Sequence, residues 1–414
     1  MRTSDPAETE RRTILRKSQI YLLSCCSAIV SANSYYAQPL LAYWAGSFHV
    51  SESSAGQVFF CSMLGQALGI IMLVPLGDKF RRKKLILWSI AITTVMVALA
   101  AFSVNIWMLK ACMLVSGFFS IAPQLIIPMA VDLSSPRERT RIVGVITSGI
   151  LSGVVFARLA GGSLTAWLSW REVYEISAVL LALSLVSVYR YIPESTSGFT
   201  GSYGDILMSG WKLLRRFSGV RVAILVGGTG FVVSRMFWAT ISFLLAAAPF
   251  NLSTDIIGVI GLVTLAGSAS APLAGSLSRR FSFETVIVIG MVTLVVAFIL
   301  LVFFPASLWM IIAGGVLMEG GRQLFQVPMQ SHAINLVPEA RSRLNMLYIS
   351  GCFLGAALGA ALGLLAWYLD KWQGVCYAAF LILAVQIATF ILTRRRGSPP
   401  SGPAEDAAGA AVRY

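Results

Sequence analysis

Apolar stretches long enough to cross a bilayer, roughly 17 to 25 residues at 1.5 Å each, run the length of the chain between short polar connections. They fall at about 18 to 46, 54 to 77, 84 to 103, 106 to 130, 140 to 166 and 170 to 192, then 219 to 249, 254 to 276, 283 to 304, 307 to 334, 341 to 368 and 373 to 393. The pattern predicts an all-α membrane protein of twelve transmembrane helices in two six-helix pseudo-repeats. It divides into a tail over 1–17, a bundle over 18–192, a linker over 193–218, a second bundle over 219–393 and a tail over 394–414. The linker carries Gly198, Gly201, Gly204, Lys212, Arg215 and Arg216. The last tail has too little apolar bulk to pack and is expected to be disordered.

The two halves repeat in detail. Arg139 and Arg141 precede Gly149, Gly153, Ala157, Gly161 and Trp170; 202 residues on, Arg341 and Arg343 precede Gly351, Gly355, Gly359, Gly363 and Trp372. Two like halves in one orientation are what secondary transporters use to place a substrate path between them. Small residues at four-residue spacing lie along one helix stripe and allow close approach of a neighbouring helix. Two readings of these stripes stand: packing seams alone, or seams that also slide between two access states.

Composition restricts the solvent rather than the fold. Hydrophobic residues make up 57% of the chain and charged ones 12%, with a mean hydropathy of +0.78. A soluble globule usually carries about 25% charged residues. All but six of the 32 Lys and Arg residues fall in the tails and every second connection. Such a bias places both termini in the cytoplasm, with the protein in the cytoplasmic membrane. The net charge of +14 therefore reflects topology and anionic headgroups, not a nucleic-acid partner. The first span follows a basic tail as a signal peptide would, but its length marks it as a retained helix. Cys25, Cys26, Cys61, Cys112, Cys352 and Cys376 all lie in apolar spans without metal-ligand spacing, as small packing residues do.

After the second span comes Leu76-Gly77-Asp78-Lys79-Phe80-Arg81-Arg82-Lys83-Lys84. This resembles the loop signature of the major facilitator superfamily, with Val74 in place of its first Gly and Arg81 in place of its second. A decayed copy, Gly275-Ser276-Leu277-Ser278-Arg279-Arg280-Phe281, sits 201 residues later with Arg279 in place of the Asp. The resemblance covers nearly the whole chain and implies a cytoplasmic gating motif of Gly77, Asp78, Arg81 and Arg82. In it, Asp78 would meet the start of a helix of the other half and Arg82 would help latch the cytoplasmic side. Gly153 to Gly162 resembles the superfamily's antiporter signature, with Ala157-Arg158 in place of Gly-Pro. Tyr35 to Leu40, Trp170-Arg171 and Phe237-Trp238 are similar to the bacterial drug and sugar efflux branch.

Ionisable side chains inside a bilayer point to a site. Glu319 lies about 18 Å along the tenth span, and Arg322 shares its face three residues on. Arg235 lies deep in the seventh span and Arg158 in the outer half of the fifth. Three guanidiniums against one carboxylate imply an electropositive cavity for an anionic solute, with Arg235 and Arg158 as bidentate binders. The alternatives are a Glu319–Arg322 pair that only packs helices and an Arg158 that snorkels outward. Asn33, Tyr36, Gln38, Gln323 and Gln326 are expected to line the same path. Glu319, paired with Arg322, is the candidate proton carrier, ahead of His332 and Glu175.

The expected function is a secondary active transporter of a small, carboxylate-bearing solute, working by alternating access as proton-coupled efflux. A proton-coupled importer of such an anion and a transport-inactive receptor or sensor are the alternatives. No nucleotide-binding loop, zinc motif or nucleophile elbow occurs, so neither cofactor nor enzyme chemistry is expected. One chain supplies both halves, so a monomer is expected to suffice.

Overall fold

Pro39 has no amide proton to offer the Tyr35 carbonyl, and its ring crowds that carbonyl, so the first apolar stretch cannot run as one helix. It folds as α1 (Lys17–Asn33) and α2 (Ala37–Ser47), and the Gln38 amide donates to Tyr35 O instead at 3.2 Å. The fourth stretch breaks in the same way ahead of Pro123. In sequence the first half continues through α3 (Glu52–Leu73), a 3-10 turn (Val74–Asp78), α4 (Arg82–Ala101), α5 (Ile106–Phe119), α6 (Ala122–Asp132), α7 (Arg139–Ser163) and α8 (Trp170–Tyr191). The second half follows as α9 (Tyr203–Arg216), α10 (Ser218–Ala246), α11 (Thr254–Ile260), α12 (Thr264–Arg280), α13 (Phe283–Phe303), α14 (Leu308–Asn335) and α15 (Arg341–Arg395). This computed structural model describes residues 15–135, 138–194, 203–337 and 340–395; the predicted disorder beyond 395 lies outside the described residues.

Eight helical runs are long and apolar enough to cross a membrane by length and composition. The last of them contains two crossings, because α15 turns at Asp370 and Lys371, where the backbone is not helical and Lys371 has φ 44°. The interrupted α1/α2 and α11/α12 pairs and the polar α14 complete the twelve. The stretch expected as a linker contains α9, an amphipathic helix. Leu213 and Leu214 pack on Val220, Ala340 and Leu344, leaving Lys212, Arg215 and Arg216 exposed. The Tyr203 hydroxyl donates to Met72 O at 2.7 Å, tying α9 to the end of α3.

The sequence repeat is a packing repeat. Helix α1 lies on α7 as α10 lies on α15, and α3 lies on α5 as α12 lies on α14. Gly149, Gly153 and Gly161 face Ser24, Ala28 and Tyr36, while Gly351, Gly355, Gly359 and Gly363 face Ile224, Gly228, Val232 and Met236. Both ladders therefore make close contacts inside a half, mostly with backbone, and are seams between helices of the same half. Gly355→Leu is expected to lower the thermal midpoint of the detergent-solubilised protein, since overpacking a tight contact costs about 1–3 kcal/mol. Gly144→Ala, with nothing within 4 Å of the added methyl, is expected to leave it unchanged or raise it.

Candidate substrate site between the two halves

Arg158 is fully enclosed, 1% exposed, so it does not snorkel. The glycines and alanines around it on α7 set its backbone close to other segments: Gly161 faces Tyr36 O, and Gly261 between α11 and α12 faces the Arg158 stem. Its Nε donates to Gln38 Oε1, and its guanidinium stacks 3.8 Å from the Trp238 ring centroid. Nη1 and Nη2 have no hydrogen-bond partner among the described residues. The break before α2 is what puts Gln38 there, one turn beyond the end of α1.

Across the interface, α10 presents Ser234, Arg235 and Trp238 toward the first half and α14. The Arg235 guanidinium lies 5.3 Å from the Tyr35 ring centroid, that of Arg158 lies 5.5 Å from the same ring, and Arg235 Nη2 donates to the Tyr35 hydroxyl at 3.3 Å. Arg235 Nε is buried without a partner. Glu319 is 2% exposed and fully engaged. It accepts from Trp238 Nε1 at 2.8 Å and Ser234 Oγ at 3.1 Å on one oxygen, and from Arg322 Nη2 at 2.9 Å and Nε at 3.3 Å on the other. The cluster thus joins α2, α7, α10 and α14, with three cations and one anion.

Several expected members stand elsewhere. Tyr36 turns into the first half, its ring 6.4 Å from Tyr174 beside Trp44 and Trp170; its neighbour Tyr35 takes the central place. Asn33 donates to Ser116 Oγ at 3.3 Å within the first half, and Gln326 donates to Cys352 Sγ at 3.5 Å within the second. Gln323 is half-buried on α14 and Glu175 is exposed, while the His332 ring stands 5.0 Å from Phe283. Tyr35, Ser234 and Trp238 join the cluster without having been singled out. Tyr35 and Trp238 lie in the segments similar to the efflux branch, though not as site residues; Ser234 carries no signal beyond its place beside Arg235.

The two faces differ. On the Lys- and Arg-rich face a cavity of about 720 Å³ opens between the halves, lined by Ile70, Asp78, Arg82 and Asp132 on one side and Arg343, Met346 and Ile349 on the other. Arg82 bonds Gly77 O at 3.1 Å, Asp78 Oδ1 at 3.2 Å and Asp132, all within its own half, and Arg81 is exposed. Among the described residues, these bonds of the gating motif lie within the first half, across the cavity from Arg343 and Met346. Between cavity and cluster stand Phe231, one turn from Arg235, and Phe353, one turn beyond Ile349, their ring centroids 6.2 Å apart.

On the opposite face the halves close. A Cβ on Gly162 of α7 would lie 2.5 Å from Gly258 Cα of α11, so only glycine permits the contact. Glu52 Oε2 of α3 accepts from Lys371 Nζ at 2.7 Å and Trp367 Nε1 at 2.8 Å, both of α15. An exposed ion pair is worth about 0–1 kcal/mol. Glu52→Gln is accordingly expected to raise, roughly two- to fivefold, the rate at which a membrane-impermeant maleimide reaches a cysteine introduced at the buried Ile257. An unchanged rate would show that Glu52 does not help hold this face closed.

A twelve-crossing bundle of two like halves, with charged side chains joined at its centre and a cavity on one face only, is the architecture of a secondary transporter. A family model described as the Major Facilitator Superfamily matches residues 23–235 and 227–413. The chain is 32% identical over 373 residues to the uncharacterized transporter YgaY of Escherichia coli O157:H7, covering 90% of this chain and 95% of that protein. It is 22% identical to a probable sugar efflux transporter of Helicobacter pylori (strain HPAG1), over 83% of this chain and 87% of that one. In structure it matches a bacterial homolog of the human lysosomal transporter Spinster in an inward-facing, occupied conformation. That match has a TM-score of 0.75 at 14% identity and covers 94% of this chain and 99% of that one. The chain belongs to the major facilitator superfamily, and it is a multi-pass membrane transporter, not an enzyme.

Proposed function

We propose that this chain moves a small organic anion by alternating access, with Arg158 and Arg235 as the groups that bind it. The observation that carries this reading is a pair of buried guanidiniums that, among the described residues, pair with no carboxylate of their own. Arg322 is matched by Glu319, but Arg158 meets a neutral amide and two aromatic rings, and Arg235 meets a phenol. Cation–π contacts contribute about 2 kcal/mol or somewhat more when desolvated. The effective penalty for burying an ion is several kcal/mol, so the rings offset only part of it. An anion entering between the halves supplies the rest.

Glu319 is the proton carrier in this reading, since it is the carboxylate at the centre, held by partners on α10 and on its own helix α14. Proton binding would neutralise Glu319 and free Arg322, so the charge the site presents to a solute changes with the proton. The basic face is the cytoplasmic one by the distribution of Lys and Arg, so the cavity faces inward. Export is supported by the antiporter-like stretch on α7 and by the similarity to a probable sugar efflux transporter of Helicobacter pylori.

The test is uptake into inside-out vesicles under imposed proton and sodium gradients across a panel of anionic and neutral solutes. Saturable transport of carboxylates, accelerated by a proton gradient, is expected. Transport restricted to neutral sugars and unchanged by Arg235→Ala would remove the anion reading.

A further inference from the structure

The charge of the site says how many negative groups its substrate brings. Arg158, Arg235, Arg322 and Glu319 are the ionisable side chains that meet at the centre among the described residues, and once Arg322 and Glu319 are set against each other two positive charges remain. Neither is near solvent: Arg158 is 1% exposed and Arg235 6%. A solute with one negative charge would leave one of them buried and unbalanced beside it. We infer that the substrate is a dianion whose two negative charges are met separately, one by Arg158 with Gln38 and one by Arg235 with Tyr35. This rests on the anion reading above and narrows it.

The donors are arranged for two groups. Nη1 and Nη2 of Arg158 are both without partners, and together they form the fork that receives both oxygens of one carboxylate. The unpartnered Nε2 of Gln38, whose oxygen holds Arg158 Nε, adds a third donor at the same end. At the other end Arg235 Nε is unpartnered, while Nη2 is held by the Tyr35 hydroxyl. Both guanidiniums lie within 5.5 Å of the Tyr35 ring centroid, so at most twice that distance separates them. A short carbon chain with an acid at each end fits within that limit. The Trp238 ring, its centroid 3.8 Å from the Arg158 guanidinium, borders the Arg158 end.

The experiment is competition binding and uptake with the purified full chain in proteoliposomes. The probes are linear dicarboxylates of three to six carbons, the monocarboxylates of matching length, phosphate monoesters and neutral polyols. The best dicarboxylate is expected to bind at least tenfold more tightly than its matching monocarboxylate. Arg158→Gln and Arg235→Gln are each expected to erase that ratio, and Arg158→Lys, which keeps the charge, to retain part of it. Tighter binding of phosphate monoesters than of any dicarboxylate would overturn the two-ended arrangement. Equal affinity for mono- and dicarboxylates would overturn the dianion while leaving the anion reading intact, and binding of neutral solutes alone would remove both. The wild-type ratios decide the matter even where a glutamine variant fails to fold, and Arg158→Lys checks the residue.

Discussion

Arg158→Ala is expected to raise the KM for the transported anion roughly a hundredfold or more, because the variant loses a two-oxygen charged contact worth about 3 kcal/mol. Arg158 is held from behind by Gln38 and from one face by Trp238, so its free nitrogens point in a fixed direction and no solvent competes for them. Arg158→Lys keeps the positive charge but loses the fork, so an intermediate rise of roughly tenfold is expected. Concentration-dependent uptake into proteoliposomes separates the cases. A monodisperse elution profile for each variant shows that the cavity left beside Trp238 has not unfolded the protein. An Arg158→Ala protein with an unchanged KM would place the anion somewhere else.

Glu319→Gln is expected to abolish acceleration of transport by an imposed pH gradient while leaving exchange of substrate for substrate running. Glutamine keeps the shape and one acceptor oxygen for Trp238 and Ser234, but it turns an amide donor toward Arg322 and carries no proton. The loss should therefore fall on coupling more than on binding. Accumulation driven by the gradient should disappear, whereas counterflow, which needs no net proton movement, should survive. Full proton dependence in Glu319→Gln would show that another group carries the proton.

Much of this arrangement was legible in the chain. Length and hydropathy place the crossings, the 202-residue recurrence shows the two halves, and lone charges inside apolar stretches mark Arg158, Arg235, Glu319 and Arg322. What sequence could not supply is rotation about each helix axis. The chain breaks at Ser34 to Tyr36, so the phase of α1 cannot be carried into α2, and Tyr35 rather than Tyr36 faces the centre. Pro39 and Pro123 were visible causes of such breaks, but the partner that accepts each turned-out side chain comes from a distant helix. The same holds for Trp238, which reads as one more apolar residue until its indole nitrogen is found against Glu319, 81 residues away.

The glycine ladders teach the complementary lesson. Their spacing predicts close approach, and close approach is found, yet nothing in the spacing tells which helix is approached. They pack each half internally. The contact that must open and close between halves is instead made by Gly162 and Gly258, outside both ladders, and at the equivalent places of the repeat Gly56 meets Leu364. The helix α9 was hidden for another reason: it is too short to cross the membrane, and Leu213 and Leu214 find their cover beyond it, on residues such as Val220, Ala340 and Leu344.

The central claim is that the halves enclose the arginine and glutamate cluster and open to each side in turn. Pulsed electron paramagnetic resonance on two spin-label pairs tests it most directly, in a background without native cysteines: Ser47→Cys with Leu369→Cys across the closed face, and Lys79→Cys with Arg341→Cys across the cavity mouth. All four positions are exposed. On adding substrate and lowering the pH, the first distance is predicted to lengthen as the second shortens. Distances that stay fixed, or that lengthen together, would contradict it.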